Sequence, residues 1–271
     1  MQAAEIAWFV FAICGAGVVS GLLAGVFGIG GGAVLVPVFY QVFGLLGVDD
    51  AVRMHLSVGS SLAIIIPTSL RSYFSHKARG AVDDALLKTY LISVPAGTLL
   101  AALAAAYISS SELRILFTVF TAFFGLKMLF NRDSWKLGAA IPGDPWRSIF
   151  GVALGFFSTL LGIGGGILNN TFMTLYGRSI HQAVATSAGV GVLIAIPGTL
   201  GYVWAGWGDP LLPLASTGFV NWIAVALVIP IALIVTPWGV KLAHSLDKRR
   251  LEVAFGLFCL AISVRFLVSL L

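Results

Sequence analysis

A five-residue glycine motif that occurs twice is the strongest candidate for binding chemistry in this chain. GIGGG occupies residues 28–32 and returns unchanged at residues 162–166, each time inside a long apolar segment. Glycine clusters break a helix and leave backbone N–H and C=O groups without helical partners, which in hydrocarbon costs several kcal/mol per group unless protein or water satisfies them. Paired breaks in the two halves of one chain are typical of a transporter's binding site.

The residues after each motif predict a helix start that favours anions. Pro37 follows the first copy, and proline suits the first turn of a helix. Thr171 occupies the corresponding place in the second copy, preceded by Asn169 and Asn170, and asparagine is a good N-cap residue. We therefore expect unwound stretches over residues 28–36 and 162–170, each between two half-helices. The unpaired N–H donors and partial positive charge of such helix starts would stabilise a small oxyanion.

Each of these residues also has a purely structural interpretation. Glycines spaced along membrane helices support close crossings, and Ser57 and Ser187 could bond a helical carbonyl rather than line a path. His55 could couple protons or cap an interface, and a solvated helix start explains Arg53 better than attraction of anions does. Because the motif recurs at the aligned place, we favour a site. The candidate substrate-binding residues are Gly30, Gly31, Gly32, His55, Ser57, Gly164, Gly165, Gly166, Asn169, Asn170, Thr171 and Ser187.

The composition places these motifs in a membrane protein. Of the 271 residues, 59% are hydrophobic and 10% are charged, and the mean hydropathy is +1.00. The net charge of +5 comes from basic residues in loops between apolar spans, a pattern that indicates a lipid bilayer rather than nucleic acid. The sequence contains no recognisable catalytic constellation or metal-ligand spacing, so we expect neither an enzyme nor a bound cofactor or metal.

Apolar stretches and their alignment define two repeats. The stretches cover about 6–44, 54–74, 85–108, 113–130, 149–177, 183–204, 219–240 and 251–270. A single crossing takes about 20 residues, so 6–44 and 149–177 are too long for one crossing, and both contain the glycine motif. We therefore predict a first repeat over residues 1–130, a cytoplasmic linker over 131–148 and a second repeat over 149–271.

Charge bias predicts the topology of the repeats. If 149–177 is a re-entrant hairpin, 13 of the 16 Lys and Arg residues lie on one side; if it crosses once, the division becomes nine against seven. The positive-inside rule therefore favours the hairpin. The resulting fold is an all-α polytopic membrane protein with two inverted repeats, each a glycine-broken re-entrant hairpin plus three transmembrane helices. Both termini would face the periplasm, with the first span retained because it lacks a basic leader.

With these features the chain resembles the sulfite exporter TauE/SafE family, also called the toluene sulfonate uptake permeases. The resemblance rests on the duplicated GIGGG, on Pro37, on residues 75–83 (SHKARGAVD), on Pro213 and on residues 217–221 (TGFVN). It implies an inner-membrane carrier of small anions, mostly sulfite and organosulfonates such as sulfoacetate, with export as the commonest direction. The family has no fixed cofactor. The chain departs from the family pattern at Asn169, Asn170 and Thr171, where an apolar pair and a proline are usual.

We therefore expect a secondary transporter that moves a sulfur-containing anion by alternating access around the paired glycine segments. An anion channel, or a carrier of a small organic carboxylate, would use the same dipole-lined breaks and remains an alternative. The expected partners are the small anionic substrate and the lipid bilayer. A homodimer is compatible with the sequence.

Overall fold

The computed structural model describes residues 3–27, 31–130, 136–245 and 248–268 and is almost entirely helical. Among the described residues, five helices end before residue 130 and five begin after residue 145, in matching order. Their bounds are α1 Ala3–Phe27, α2 Gly32–Leu45, α3 Asp50–Lys77, α4 Asp84–Ala105, α5 Ser110–Leu129, α6 Trp146–Leu161, α7 Gly166–Leu175, α8 Ile180–Ala205, α9 Trp222–Ser245 and α10 Lys248–Val268. A short β-hairpin precedes α9, with two residues in each strand: β1 Ser216–Thr217 and β2 Val220–Asn221.

Side-chain caps start the long helices, whereas glycines start the two short ones. Asp49, Asp83 and Ser179 accept backbone N–H groups at the starts of α3, α4 and α8. The N-cap residues of α2 and α7 are Gly31 and Gly165, with φ of 78° and 77° and no side-chain cap bond. The first N–H groups of a helix have no partner within it, so α2 and α7 present theirs to neighbouring elements.

The breaks are shorter than the sequence predicts. Helix α6 ends at Leu161 and α7 begins at Gly166, so the second break covers only 162–165 rather than 162–170. Helix α2 begins at Gly32, so Pro37 is its sixth residue and lies outside the first turn. Positive φ at Gly162, Gly164 and Gly165 redirects the chain within four residues, a conformation that other residue types adopt only at a cost. Residues 28–30, including the candidate Gly30, lie outside the described residues.

This shortening also corrects the predicted role of the two asparagines. Asn169 and Asn170 are the fourth and fifth residues of α7, and the N-cap is Gly165. Thr171 is likewise inside the helix. Because α7 begins directly after the left-handed Gly165, that glycine occupies the cap position and both asparagines lie inside the helix. The asparagine amides therefore project sideways from the first turns of α7.

The chain turns back at the second break. The rings of Phe150 in α6 and Phe172 in α7 stack with centroids 3.8 Å apart, and the Leu137 N–H donates to the Leu175 carbonyl over 2.9 Å. The end of α7 therefore lies beside the start of α6 and the linker. In the first half, the α1 arm has 25 residues, about 37 Å at 1.5 Å per residue, so it is longer than the half-helix that the sequence suggests.

Helices α3 and α8 form the centre of the bundle and run antiparallel. Leu62 contacts Gly198 at one level and Tyr73 contacts Gly189 further along. Buried residues make up 78% of the most apolar window of α3 and 72% of that of α8, against 44% for α4 and for α9. The outer helices pair across the two halves, with α1 against α9, α6 against α4 and α5 against α10. Each helix thus packs as its counterpart in the other half does.

The two ends of the bundle carry different connecting segments. The end with the β-hairpin, near the start of α3, is called the hairpin end; the end with residues 136–145, near the end of α3, is called the linker end. In the part of the chain that the structure describes, four helical segments are long and apolar enough to cross a membrane: α3, α4, α8 and residues 222–242 of α9. Apolar side chains such as Ile92, Phe123 and Ile234 are exposed on the bundle surface, which suits contact with lipid.

Candidate functional site

The two glycine breaks meet in the middle of the bundle. Gly32, the first residue of α2, lies so close to the Gly162 carbonyl that a Cβ at position 32 would overlap its oxygen. The Ser61 hydroxyl of α3 donates to the same oxygen over 3.0 Å. Gly31 is packed against Ser20 of α1. The start of one short helix therefore lies against the end of the opposite broken helix, with α3 beside both.

Small residues of α3 and α8 surround the second break. A Cβ at Gly191 would lie 2.5 Å from Ser69 Oγ and 3.3 Å from the Gly164 carbonyl oxygen. A Cβ at Gly165 would lie 3.5 Å from Ser158 Oγ and would press on Ile194. Backbone and hydroxyl groups thus approach the break closely because glycine occupies both positions.

The α7 asparagines form a hydrogen-bond chain with α8. Asn169 Nδ2 donates to Ser187 Oγ over 2.8 Å, and Ser187 Oγ donates to Asn170 Oδ1 over 2.7 Å. All three residues are buried. Thr171 is less buried and lies 3.5 Å from the Lys127 ammonium. Of the predicted site residues, Asn169, Asn170 and Ser187 therefore form one cluster at the linker side of the second break.

Buried charge is scarce in this region. Among the described buried side chains, the ionisable ones of basic type are Arg114, His55 and His76, and none of the described buried residues is Asp or Glu. The described residues also contain no group of three His, Cys, Asp or Glu that could hold a metal ion. The donors that face the breaks are therefore neutral backbone amides, hydroxyls and carboxamides.

The structure places His55 and Ser57 apart from the asparagine cluster and gives both structural contacts. The His55 Nε2 ring nitrogen lies 3.1 Å from the Ala105 carbonyl and 3.0 Å from the Ile108 carbonyl, at the end of α4. Its ring stacks on Phe219 with centroids 4.7 Å apart. Ser57 donates to the Arg53 carbonyl over 2.7 Å. These contacts give His55 and Ser57 structural roles, and a substrate-binding role for either residue stays a prediction.

His55 is accordingly predicted to support stability rather than proton coupling. His55→Leu would leave the Ala105 and Ile108 carbonyls without their donor, which should cost about 1–3 kcal/mol. His55→Gln keeps a donor and should recover much of this loss. Thermal unfolding of the purified variants measures the effect. A glutamine variant that unfolds like the parent but no longer responds to pH in transport would contradict this assignment.

Two arginines at the hairpin end, Arg53 and Arg114, are bonded to groups of α2, α3 and the connection between them. Arg53 donates to the Val48 carbonyl and pairs with Asp50 at 3.2 Å. Arg114 donates to the Tyr40 hydroxyl, which in turn donates to Asp50 over 2.6 Å. Arg53 therefore holds the α2–α3 connection together from the first turn of α3.

The β-hairpin is inserted between α3 and α8. Phe219 is buried, its N–H donates to the Tyr202 carbonyl over 3.1 Å, and its own carbonyl lies against Gly59. The Asn221 N–H donates to Ser60 Oγ over 2.9 Å. At the linker end, the Asp83 N–H donates to Thr186 Oγ1 over the same distance. A loop thus bonds to a central helix at each end of the bundle.

Several residues of the site were missed from the sequence. They are hydroxyl residues that become neighbours of the breaks only through helix packing: Ser20, Ser61, Ser69 and Ser158. A signal was present in α3, where Ser57, Ser61, Ser69 and Ser72 recur at helical spacing.

Comparison with known proteins agrees with this architecture. The sulfite exporter TauE/SafE family matches residues 13–266. The chain belongs to this family. A probable membrane transporter protein of Haemophilus influenzae is 28% identical over 253 residues, which cover 92% of this chain and 94% of that protein. A probable membrane transporter protein of Methanocaldococcus jannaschii is 28% identical, with 88% and 87% covered. No solved structure matches the chain.

Family membership and the apolar helices together identify a multi-pass membrane protein. A similar protein of Bacillus subtilis, also named a probable membrane transporter, is 23% identical over 86% of each chain. The matched residues 13–266 include both glycine breaks and all the candidate site residues. These findings support a membrane transporter.

Proposed function

We propose that the protein is a secondary transporter, acting as an exporter, of a small sulfur-containing anion such as sulfite or an organosulfonate. The meeting of the two breaks is the observation that carries this proposal. Gly32 lies against Gly162, and the starts of α2 and α7 therefore share one region beside α3 and α8. Helix starts with unpaired N–H groups favour anions, and glycine lets an anion approach the backbone closely.

The neutral character of the surroundings also supports an anion that enters and leaves. A buried arginine or lysine at the breaks would bind an anion strongly through its full charge. Backbone dipoles, Ser61 and the asparagines supply weaker, distributed attraction. Moderate binding suits a carrier because it must release its substrate on the other side of the membrane.

The proposed architecture has two inverted repeats, residues 1–130 and 149–271, joined by a cytoplasmic linker over 131–148. Each repeat would contribute one re-entrant hairpin and three crossings in the inner membrane, with both termini in the periplasm. The antiparallel pairing of α3 with α8 and the matched pairings α1–α9 and α6–α4 support it. Rocking of the repeats would open one loop contact, at Ser60 or at Thr186, while the other stays closed.

Counterflow in proteoliposomes tests the proposal. Vesicles loaded with unlabelled sulfite or sulfoacetate should accumulate the radiolabelled anion transiently and saturably, because a carrier exchanges its substrates one for one. Empty vesicles provide the background. Steady single-channel current without saturable counterflow would instead identify an anion channel, and competition by acetate but not by sulfonates would identify a carboxylate carrier. Parent protein that moves none of these anions would refute the proposed function.

A further inference from the structure

Three buried serine and asparagine atoms of α3 and α7, on the linker side of the second break, have no hydrogen-bond partner among the described residues. They are Ser69 Oγ and Ser72 Oγ of α3 and Asn169 Oδ1 of α7. Ser69 and Asn169 are 0% exposed and Ser72 is 1% exposed. A buried polar group without a partner costs about 1–3 kcal/mol, so three in one region require an explanation in terms of what they bind.

These hydroxyls differ from most others in the protein's helices. Ser57, Ser75 and Thr174 donate to carbonyl groups of their own helix, which is the usual arrangement for a hydroxyl in an apolar environment. Ser69 and Ser72 do not, although both lie within α3. Their hydroxyls are therefore available to a group outside their helix.

Helix packing brings the side chains that carry these atoms to neighbouring turns of α3, α7 and α8. Ser69 lies beside Gly191 of α8, and Gly191 lies beside the Gly164 carbonyl at the break. Ser187 is one helical turn from Gly191 and bonds Asn169, while Ser72 is one turn further along α3 in the same direction. Antiparallel α3 and α8 therefore bring Ser69, Ser72, Asn169 and Ser187 to a common region, called here the polar chamber.

The hydrogen-bond chain determines which atom of Asn169 faces the polar chamber. The single hydroxyl hydrogen of Ser187 is donated to Asn170 Oδ1. Ser187 can therefore only accept from Asn169, which must present its Nδ2 donor to that hydroxyl. This leaves Asn169 Oδ1, a pure acceptor, as the atom without a partner. The polar chamber thus contains two hydroxyl donors and one acceptor that needs a hydrogen.

We propose that the polar chamber binds the transported ion and that its preferred ligand is a monoanion with a hydroxyl group of its own. The acid oxygens would accept from Ser69 and Ser72, and the ligand hydroxyl would donate to Asn169 Oδ1. An anion without a donor would place its oxygens against Asn169 Oδ1, leaving that acceptor unpaired. This inference rests on the proposed function, because it names the substrate class of the same transport site.

Matched ligand pairs test the preference. Ethanesulfonate and 2-hydroxyethanesulfonate differ by one hydroxyl, as do acetate and glycolate. The purified full-length chain should be stabilised against heat by the hydroxyl compound of at least one pair at concentrations at least about tenfold lower, since a site built to bond a hydroxyl discriminates strongly against its absence. Equal binding of both members, or binding of neither pair, overturns the inference. Sulfite counterflow that persists in either case leaves the proposed function standing.

Two kinds of variant assign the preference to these residues. Asn169→Leu should bind both members of a pair equally. Because Asn169 also bonds Ser187, the double variant Ser69→Ala/Ser72→Ala provides a second test that removes only unpaired hydroxyls. It should unfold at or above the parent temperature without ligand, yet lose the ligand-induced shift. The controls Ser75→Ala and Thr174→Val, whose hydroxyls bond their own helices, should bind like the parent. A double variant with parent-like binding would overturn the assignment.

Discussion

Gly32→Ala is expected to abolish transport, because the two helix breaks cannot meet with a side chain at this position. The added Cβ would overlap the Gly162 carbonyl oxygen and would lie 2.9 Å from Ile163 Cα. These are backbone atoms of the opposite break, and they cannot move aside as the end of a flexible side chain could. Overpacking of this kind costs about 1–3 kcal/mol. The variant should therefore unfold at a lower temperature and show counterflow close to that of empty vesicles.

Gly15→Ala is the matched control for this variant. A Cβ at Gly15 in α1 has nothing within 4 Å, and alanine is the better helix former there by about 0.5–1 kcal/mol. The control should insert, unfold and transport at least as well as the parent. Gly32→Ala protein that is monodisperse and transports at the parent rate would mean that contact between the breaks is unnecessary for transport. The proposed site would then be wrong.

The sequence was sufficient to locate the breaks but not to describe their shape. Identical GIGGG motifs in aligned apolar segments predicted two interruptions, and the meeting of Gly32 with Gly162 agrees with a shared site. The length of the break depends on φ at individual glycines, which residue type permits but does not determine. Left-handed Gly165 let α7 restart at once, so Asn169 and Asn170 became side chains of a helix instead of caps.

The polar residues of the site show a second limit of sequence reasoning. Ser57 and Ser69 are both serines on the same buried helix, yet one bonds its own backbone and the other does not. The difference arises from the neighbour of each residue, and Ser69 faces Gly191 because of the register between α3 and α8. Such a register involves residues that are more than a hundred positions apart in the chain. Periodicity identifies the polar face of α3 but not the serines with free hydroxyls.

The same distinction applies to glycine, which has two separate roles here. Gly31, Gly164 and Gly165 adopt positive φ at the breaks. Other glycines have ordinary helical conformations and lie where two helices cross. A Cβ at Gly97 would overlap the Val152 carbonyl, and one at Gly155 would overlap the Val94 carbonyl. Gly97 in α4 and Gly155 in α6 thus serve the close packing of helices, whereas the glycines with positive φ also redirect the chain.

Gly155→Leu is expected to remove most of the folded protein. Close contact of α4 with α6 depends on small residues, since helices in lipid associate through packing rather than through the hydrophobic effect. A leucine would force the backbones of the two helices apart, losing contacts along the crossing and overpacking the residues that remain. The expected result is a loss of several kcal/mol, seen as a much lower yield of monodisperse protein and a lower unfolding temperature.

Comparison with Gly15→Leu separates this effect from a general intolerance of leucine. Position 15 offers open space to a side chain, and an added apolar group at an exposed site in a membrane helix should meet lipid without loss. Gly155→Ala provides the graded case, in which the part of the population that folds should still bind ligand because position 155 packs on α4 and not on the residues of the polar chamber. If Gly155→Leu were as stable as the parent, the α4–α6 crossing would not be a close contact. The α1–α9 crossing is the equivalent of the α4–α6 crossing in the other half, and there Gly239 lies against Leu22. A stable Gly155→Leu variant would therefore also argue against a close contact between α1 and α9.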